Sequence, residues 1–183
     1  MLPACKRGEV RIFAALELPL QVRREIAAWQ KPLKALYPSL KWIQGDRLHL
    51  TLRFFGDISQ SEVERICDIL SSWHPGSLAF SLDSIGFFGN RQSPSVFWLG
   101  GSFPEDISRV ASSLGSIPDE RGKKGVQRFV PHLTFARRRN STPLTKLDPP
   151  DEIRGVFKEA AVINSRLTSG GPEYTFIERY DLH

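Results

Sequence analysis

The chain has 183 residues, of which 40% are hydrophobic and 25% charged, and its formal net charge is +5. This length and apolar content are enough to bury a real core as one domain or two small lobes, and no segment is long and apolar enough to span a membrane. Residues 1–9 lack the apolar stretch of a signal peptide, so we expect a flexible tail and a cytoplasmic protein. Cys5 and Cys67 lie far apart and are expected to be free thiols.

The first third of the chain predicts a strand, a helix and a second strand. An apolar run at about residues 10–18 predicts the first strand, and the segment from Leu20 to about Tyr37 has the apolar spacing of an amphipathic helix. Pro32 lies inside this helix, which predicts a kink or an early end. The run from Leu48 to Phe55 predicts the second strand.

A second helix is predicted after Ser59, where overlapping capping boxes precede an apolar stripe. A long strand from Leu78 to Phe88, a turn and a strand from Ser95 to Leu99 should follow. A third helix is predicted near Pro104, with Ser102 as its cap.

The remaining segments are mostly strands. Phe129 to Ala136 predicts one strand, and two closing strands are expected at about Gly155–Leu167 and Tyr174–Leu182. The polar segment from Arg137 to Glu152 reads as an exposed loop that could cover a cleft. Because strands outnumber helices without regular alternation, the sequence favours an α+β fold with antiparallel sheets.

One short pattern occurs twice: His49-Leu50-Thr51-Leu52 returns as His132-Leu133-Thr134-Phe135. Successive side chains of a strand point to opposite faces, so the histidine and threonine of each copy should share a face. Two such strands would offer an acid, a base and two hydroxyl donors around an anion, which is what phosphoryl chemistry needs. A strand and a helix precede each copy, which predicts pseudo-two-fold symmetry with the site on its axis.

Positive charge is concentrated around the second copy. The stretch from Arg121 to Arg139 contains no acidic residue and seven basic ones: Arg121, Lys123, Lys124, Arg128, Arg137, Arg138 and Arg139. Such a stretch beside the site would attract a polyanion such as RNA. The alternative is an ordinary solvated loop.

These motifs resemble those of the 2H phosphoesterases, and within them the RNA 2′,3′-cyclic phosphodiesterases, also called 2′-5′ RNA ligases. The resemblance spans about residues 10–182. It rests on residues 11–19, 48–56, 96–100, 131–137 and 165–167. It implies a single domain, residues 1–183, in which two pseudo-symmetric lobes enclose a central cleft. Each lobe would be an antiparallel sheet with helices on its outer face.

The resemblance also implies roles for the motif residues. His49 would be the proton donor and His132 the proton acceptor in the hydrolysis of a 2′,3′-cyclic phosphate to a 2′-phosphomonoester, with 2′-5′ ligation as the reverse activity. The sequence alone does not distinguish the two roles. Thr51 and Thr134 would hold the non-bridging oxygens. The alternative is a non-catalytic nucleotide- or RNA-binding module.

Two arginines are candidates for substrate binding. Arg137 lies where the family carries an arginine, but strict alternation turns it away from His132 unless the strand ends or bulges at Ala136. Arg53 shares the His49 face by alternation, although it could instead pair with an acid or point outward at the strand end.

We expect no metal or cofactor, because threonines are poor zinc ligands and no glycine-rich phosphate loop is present. His74 and His183 are expected to have no role. The aromatic residues Phe13, Phe54, Phe55, Phe88 and Trp98 are core by default, with base stacking as the alternative. The expected partners are RNA with 2′,3′-cyclic phosphate ends or cyclic nucleotides, and the protein should be a monomer.

Overall fold

The computed structural model describes residues 10–90, 93–125, 129–138, 147–169 and 171–182. Cys5, Arg128, Arg139 and His183 therefore lie outside the described residues, as does most of the predicted loop after Arg138. The elements, in chain order, are β1 (Val10–Glu17), α1 (Leu20–Leu36), β2 (Leu40–Trp42), a short 3-10 helix (Gly45–Arg47), β3 (His49–Gly56), α2 (Gln60–Ser71), β4 (Leu78–Leu82), β5 (Ser84–Asn90), β6 (Ser93–Gly100), α3 (Glu105–Leu114), β7 (Leu133–Arg138), β8 (Ile153–Phe157), β9 (Glu159–Thr168) and β10 (Gly171–Asp181).

Eight strands form one antiparallel sheet in the order β10-β9-β1-β3-β7-β6-β5, with β2 pairing with the free part of β7. Strands β4 and β8 form a separate two-stranded sheet. The α+β class with antiparallel strands is therefore confirmed. The two halves of the main sheet meet where Leu50 of β3 pairs with Leu133 of β7. The division into two lobes around a cleft stays a prediction.

Three local predictions need correction. The predicted strand from Leu78 to Phe88 is two strands that leave Asp83 between them, because β4 pairs with β8 while β5 pairs with β6. The strand predicted from Gly155 is likewise two strands, separated by Lys158. Pro104 instead of Ser102 occupies the N-cap position of α3, and it makes no side-chain capping hydrogen bond.

Helix α1 continues through Pro32 to Leu36, close to the predicted end near Tyr37, so the early end does not occur and the kink stays a prediction. Proline removes one N–H donor and leaves the carbonyl four residues earlier, that of Ala28, without its helical partner. Ala28 and Pro32 are both exposed, so water can reach this carbonyl. In α2 the predicted capping box is confirmed, since the Ser59 hydroxyl accepts the Glu62 N–H and the Glu62 carboxylate accepts the Ser59 N–H.

All three helices pack on the same face of the main sheet. Their apolar stripes and every second side chain of the central strands form one core whose central members are fully buried: Leu16, Leu50, Leu99 and Leu133 from the strands, and Ile26, Ile66 and Ile107 from the helices. A smaller apolar cluster lies on the opposite face and contains Phe13, Ala15, Ala161 and Ile163. We call these the helix face and the open face.

Two β-bulges change which residues reach the open face. Leu52 is an extra residue in β3, because Thr51 pairs with Ala15 and Arg53 pairs with Ala14 of β1. Phe135 is an extra residue in β7, where Thr134 pairs with Trp98 and Ala136 pairs with Phe97 of β6. An extra residue shifts the alternation of every later side chain by one position.

The β3 bulge turns Arg53 to the helix face, so the prediction that it shares the His49 face is wrong. The Arg53 guanidinium donates hydrogen bonds to the backbone oxygens of Gly125 at 2.8 Å, Ile117 at 2.9 Å and Lys123 at 3.2 Å. Its relative exposure is 8%. Arg53 therefore fixes the segment after α3, residues 117–125, to the edge of β3.

We predict that Arg53→Met lowers the free energy of unfolding by about 2–4 kcal/mol, because the change leaves one buried and two partly buried carbonyl oxygens without a charged donor. Urea unfolding followed by circular dichroism measures the loss. Arg121→Met is the control, since this neighbouring arginine is exposed and its loss should change stability by about 0.5 kcal/mol or less. Unchanged stability with lost activity would instead indicate that Arg53 binds a ligand.

Candidate active site

The pairing of Leu50 with Leu133 brings the two His-x-Thr motifs together. Both leucines are fully buried on the helix face, so their neighbours along each strand point to the open face. The antiparallel sense sets His49 opposite Thr134 and Thr51 opposite His132. The two histidines therefore lie diagonally across the junction, with a threonine beside each, as the repeat predicts.

The two imidazole rings are held in the same way. His49 Nδ1 lies 2.9 Å from the carbonyl oxygen of Arg47, and His132 Nδ1 lies 2.7 Å from that of Val130. A carbonyl oxygen only accepts, so in both rings Nδ1 carries the proton. Nε2 of each neutral histidine therefore carries a lone pair and no proton. In both cases the carbonyl that accepts the Nδ1–H belongs to the residue two positions earlier in the sequence.

Aromatic rings border each histidine on the open face. The centroid of His49 lies 4.9 Å from that of Phe13 and 5.7 Å from that of Tyr174. The centroid of His132 lies 4.8 Å from that of Phe88 and 5.8 Å from that of Trp98. These contacts fix the ring planes and exclude part of the solvent from each imidazole.

The Trp98 ring itself lies against Gly86, where an added Cβ would overlap the indole. Phe55, in contrast, is fully buried in the core. Tyr174 is absent from the predicted site because its position depends on the pairing of β10 with β9, where it lies opposite Ser165. A local sequence pattern does not predict how two distant strands pair, and so it does not predict the position of Tyr174.

Burial and positive charge both disfavour protonation of the histidines. Burial lowers the pKa of His49 to about 4, with further lowering by the charges of Arg23, His132 and Arg137. Burial also lowers the pKa of His132, and Arg137 adds to this effect. Both rings are therefore neutral at pH 7 when no anion is bound.

Arg137 lies on the open face with the motif residues. The sequence required the strand to end or bulge at Ala136 for Arg137 to share the His132 face. The bulge lies one residue earlier, at Phe135. Arg137 therefore pairs with Val96 and is the next residue after Thr134 on the open face. Its side chain is exposed, and its charge acts on both histidines. Sequence reasoning missed Arg23, which reaches the His49 end of the site from α1 and contacts the Glu17 carboxylate at 3.4 Å.

Within the described ranges, no group of three or more histidine, cysteine or acidic side chains converges as a metal site. The described helices include none with the length and apolarity of a membrane span. Cys67 is a free thiol, as predicted.

Comparison with known proteins agrees with this geometry. Residues 16–98 match the family model described as LigT like Phosphoesterase. The chain is 31% identical to the RNA 2′,3′-cyclic phosphodiesterase of Methanothermobacter thermautotrophicus, over 95% of this chain and 100% of that protein. The crystal structure of TT0787 of Thermus thermophilus superposes with a TM-score of 0.81 at 26% identity, covering 94% of this chain and 97% of that one.

A crystal structure of E. coli LigT complexed with 3′-AMP also superposes, with a TM-score of 0.75 at 26% identity, covering 95% of this chain and 98% of that one. The extent of the match to the archaeal protein, together with the paired motifs on one sheet face, places the sequence among these enzymes. The chain belongs to the LigT-like phosphoesterases of the 2H phosphoesterase family.

Proposed function

We propose that this protein hydrolyses RNA 2′,3′-cyclic phosphate ends to 2′-phosphomonoesters by two-histidine acid–base catalysis without a metal. The observation that carries the proposal is the pair of imidazoles, each oriented through Nδ1 and each beside a threonine on the open face. The name of the archaeal relative and the 3′-AMP complex of E. coli LigT support a nucleotide substrate with this chemistry.

The orientation of the two rings suits them to opposite tasks. A neutral histidine with its proton on Nδ1 accepts a proton at Nε2, and the same ring once protonated donates from Nε2. In the proposed reaction, His132 Nε2 takes a proton from water as the water oxygen attacks phosphorus. The bond from phosphorus to the 3′ oxygen breaks, and His49 Nε2–H donates its proton to that oxygen. The products are a 2′-phosphate and a free 3′-hydroxyl.

Three other side chains would stabilise the phosphorus centre. Thr51 and Thr134 would donate hydrogen bonds to the non-bridging oxygens, where negative charge accumulates as the water attacks. Arg137 would bind the same oxygens with its guanidinium, whose planar donors suit a phosphate. A 5′-hydroxyl in place of water would give a 2′-5′ linkage by the same proton transfers, which is the proposed ligase activity.

Substrate binding also favours the uptake of a proton from solvent by one of the two rings. With both histidines neutral at pH 7, the pair lacks an acid until the anionic phosphate raises the pKa of each ring. Burial lowers the pKa of both rings, that of His49 to about 4. The assignment of His49 as the donor follows the family resemblance, and it requires the bound phosphate to raise the pKa of His49 so that this ring carries the proton.

The second candidate is a binding module that retains the anion site without catalysis. It is less favoured because both histidines and both threonines are present and share the open face. A binding module needs positive charge at the anion, and it has no need for two neutral imidazoles with free Nε2 atoms. Turnover of a cyclic phosphate substrate separates the two candidates.

We predict that His49→Ala and His132→Ala each lower kcat/KM for a cyclic phosphate substrate by about 10²–10⁴-fold, because each removes one proton-transfer group. The double variant should be little worse than either single variant, since the two groups act in one step. Initial rates measured by product chromatography test this, with thermal unfolding as the check on folding. Fully multiplicative losses would contradict a shared step.

We predict a bell-shaped dependence of kcat/KM on pH whose maximum lies on the acid side of the ordinary histidine pKa of about 6.5. The rate falls at low pH when both rings are protonated, and it falls at high pH when neither ring is. Both limbs of the kcat/KM profile lie at lower pH than ordinary histidines would give, because both pKa values are lowered in the free protein. The limbs of kcat should lie at higher pH, since the bound phosphate raises both pKa values.

Circular dichroism at each pH controls for unfolding at low pH. A kcat/KM that only rises with pH through neutrality would contradict this mechanism and would indicate hydroxide as the nucleophile.

A substrate with sulfur in place of the 3′ bridging oxygen distinguishes the acid from the base. A thiolate leaves without a proton, so we predict that this substrate restores much of the rate lost by His49→Ala and leaves His132→Ala impaired. The ratio of kcat/KM for the sulfur and oxygen substrates measures the effect in each variant. Rescue of His132→Ala instead would reverse the two roles.

A further inference from the structure

A groove of about 730 Å³ follows the edge of β3 beyond the two motifs. One wall consists of Leu52, Arg53 and Phe54 of β3. The other consists of five residues of the segment after α3: Asp119, Arg121, Lys123, Lys124 and Gly125. Neither histidine nor threonine of the motifs lines it. We call it the loop groove, and the proposed reaction leaves it without a role.

Phe54 connects the loop groove to the open face. It pairs with Phe13, so it is the next residue after Thr51 that β3 presents on that face. Its relative exposure is 46%, whereas its neighbour Phe55 is fully buried in the core. Exposure of one phenylalanine is ordinary by itself, but this ring also lines the basic groove, where it offers a flat apolar surface to a ligand.

The internal repeat makes Phe54 the counterpart of Arg137, the residue proposed to bind the reacting phosphate. Phe54 lies five residues after His49 and past the Leu52 bulge, as Arg137 lies five residues after His132 and past the Phe135 bulge. The two copies thus present a ring at one end of the site and a cation at the other. The Arg137 guanidinium suits a negatively charged phosphate, whereas the Phe54 ring suits stacking against a nucleobase.

The opposite wall of the groove carries three exposed cations on a fixed backbone. Arg53 donates to three carbonyl oxygens of residues 117–125, and the Glu120 N–H donates to the Phe55 oxygen at 2.7 Å. The acid in the groove, Asp119, accepts the N–H groups of Arg121 and Lys123, each at 2.9 Å. These bonds keep the carboxylate ionised, but its single negative charge is outnumbered by the three cations, so positive charge is in excess among the side chains that line the groove.

We propose that the loop groove binds the single-stranded RNA next to the terminal nucleotide, with a base stacked on Phe54 and its phosphate beside Arg121, Lys123 and Lys124. Single-stranded RNA is recognised by this combination of an aromatic ring and a basic groove, and stacking tolerates every base. The inference rests on the proposed function and names its substrate as an oligonucleotide chain. The proposal predicts that affinity for RNA depends on the nucleotide next to the terminal one, whereas the reaction itself depends on the two His-x-Thr motifs.

The first test compares two substrates, a 2′,3′-cyclic mononucleotide and an oligonucleotide that ends in the same cyclic phosphate. Phe54→Leu removes the ring and keeps an apolar side chain, and we expect it to raise KM for the oligonucleotide about five- to a hundredfold. The mononucleotide should keep its wild-type KM and kcat. Phe54→Tyr keeps the ring and should behave as wild type on both substrates.

The second test concerns charge. The triple variant R121Q/K123Q/K124Q should weaken oligonucleotide binding and flatten its dependence on salt by about 0.7 in log–log slope for each phosphate that the variant no longer neutralises. The matched control is R24Q/K31Q/K34Q, which removes one arginine and two lysines that are exposed on α1. Fluorescence anisotropy with a labelled oligonucleotide measures binding apart from turnover.

The proposal is overturned if Phe54→Leu leaves oligonucleotide KM unchanged, if it impairs both substrates equally, or if the α1 control matches the loop variant. Failure of the proposed function has a different signature. In that case wild-type protein turns over neither substrate, while the anisotropy measurement still reports whether the loop groove binds RNA.

Discussion

The active site depends on one pair of residues, Leu50 of β3 and Leu133 of β7, at which the two halves of the main sheet meet. Both side chains are fully buried against the helices, so apolar packing fixes which residues of each strand turn away from the core. A shift of one residue in either strand would place its histidine and threonine on the helix face. The core thereby sets the register, and the register sets the positions of the reactive groups.

Symmetry holds closely at the histidines and is broken around them. Both imidazoles bond through Nδ1 to the carbonyl two residues back, and both lie against aromatic rings. Beyond each bulge the copies differ, with Phe54 in the first and Arg137 in the second. Arg23 adds further positive charge at the His49 end. The two motifs thus supply two rings that are held in the same way, and burial, with a smaller effect of nearby positive charge, lowers the pKa of both.

Much of this could be predicted from the sequence. The α+β class, the three helices and the shared face of each His-x-Thr motif follow from apolar spacing and strand alternation. The side of the sheet to which Arg53 points could not be predicted. It depends on a bulge, and a bulge forms through pairing with a neighbouring strand that the alternation of residues along β3 does not reveal. Tyr174 and Arg23 reach the site through long-range packing. Pro32 does not end α1 early, because its effect on the Ala28 carbonyl falls where water can reach that group.

Nitrogen NMR of the two imidazoles, with and without inorganic phosphate, tests most directly that both histidines form one anion site. The account predicts that Nδ1 carries the proton in each neutral ring, that both pKa values lie below about 6.5 without phosphate, and that phosphate raises both. His49→Ala and His132→Ala assign the signals. A response of only one ring to phosphate, or a proton on Nε2 in either neutral ring, would contradict the shared site.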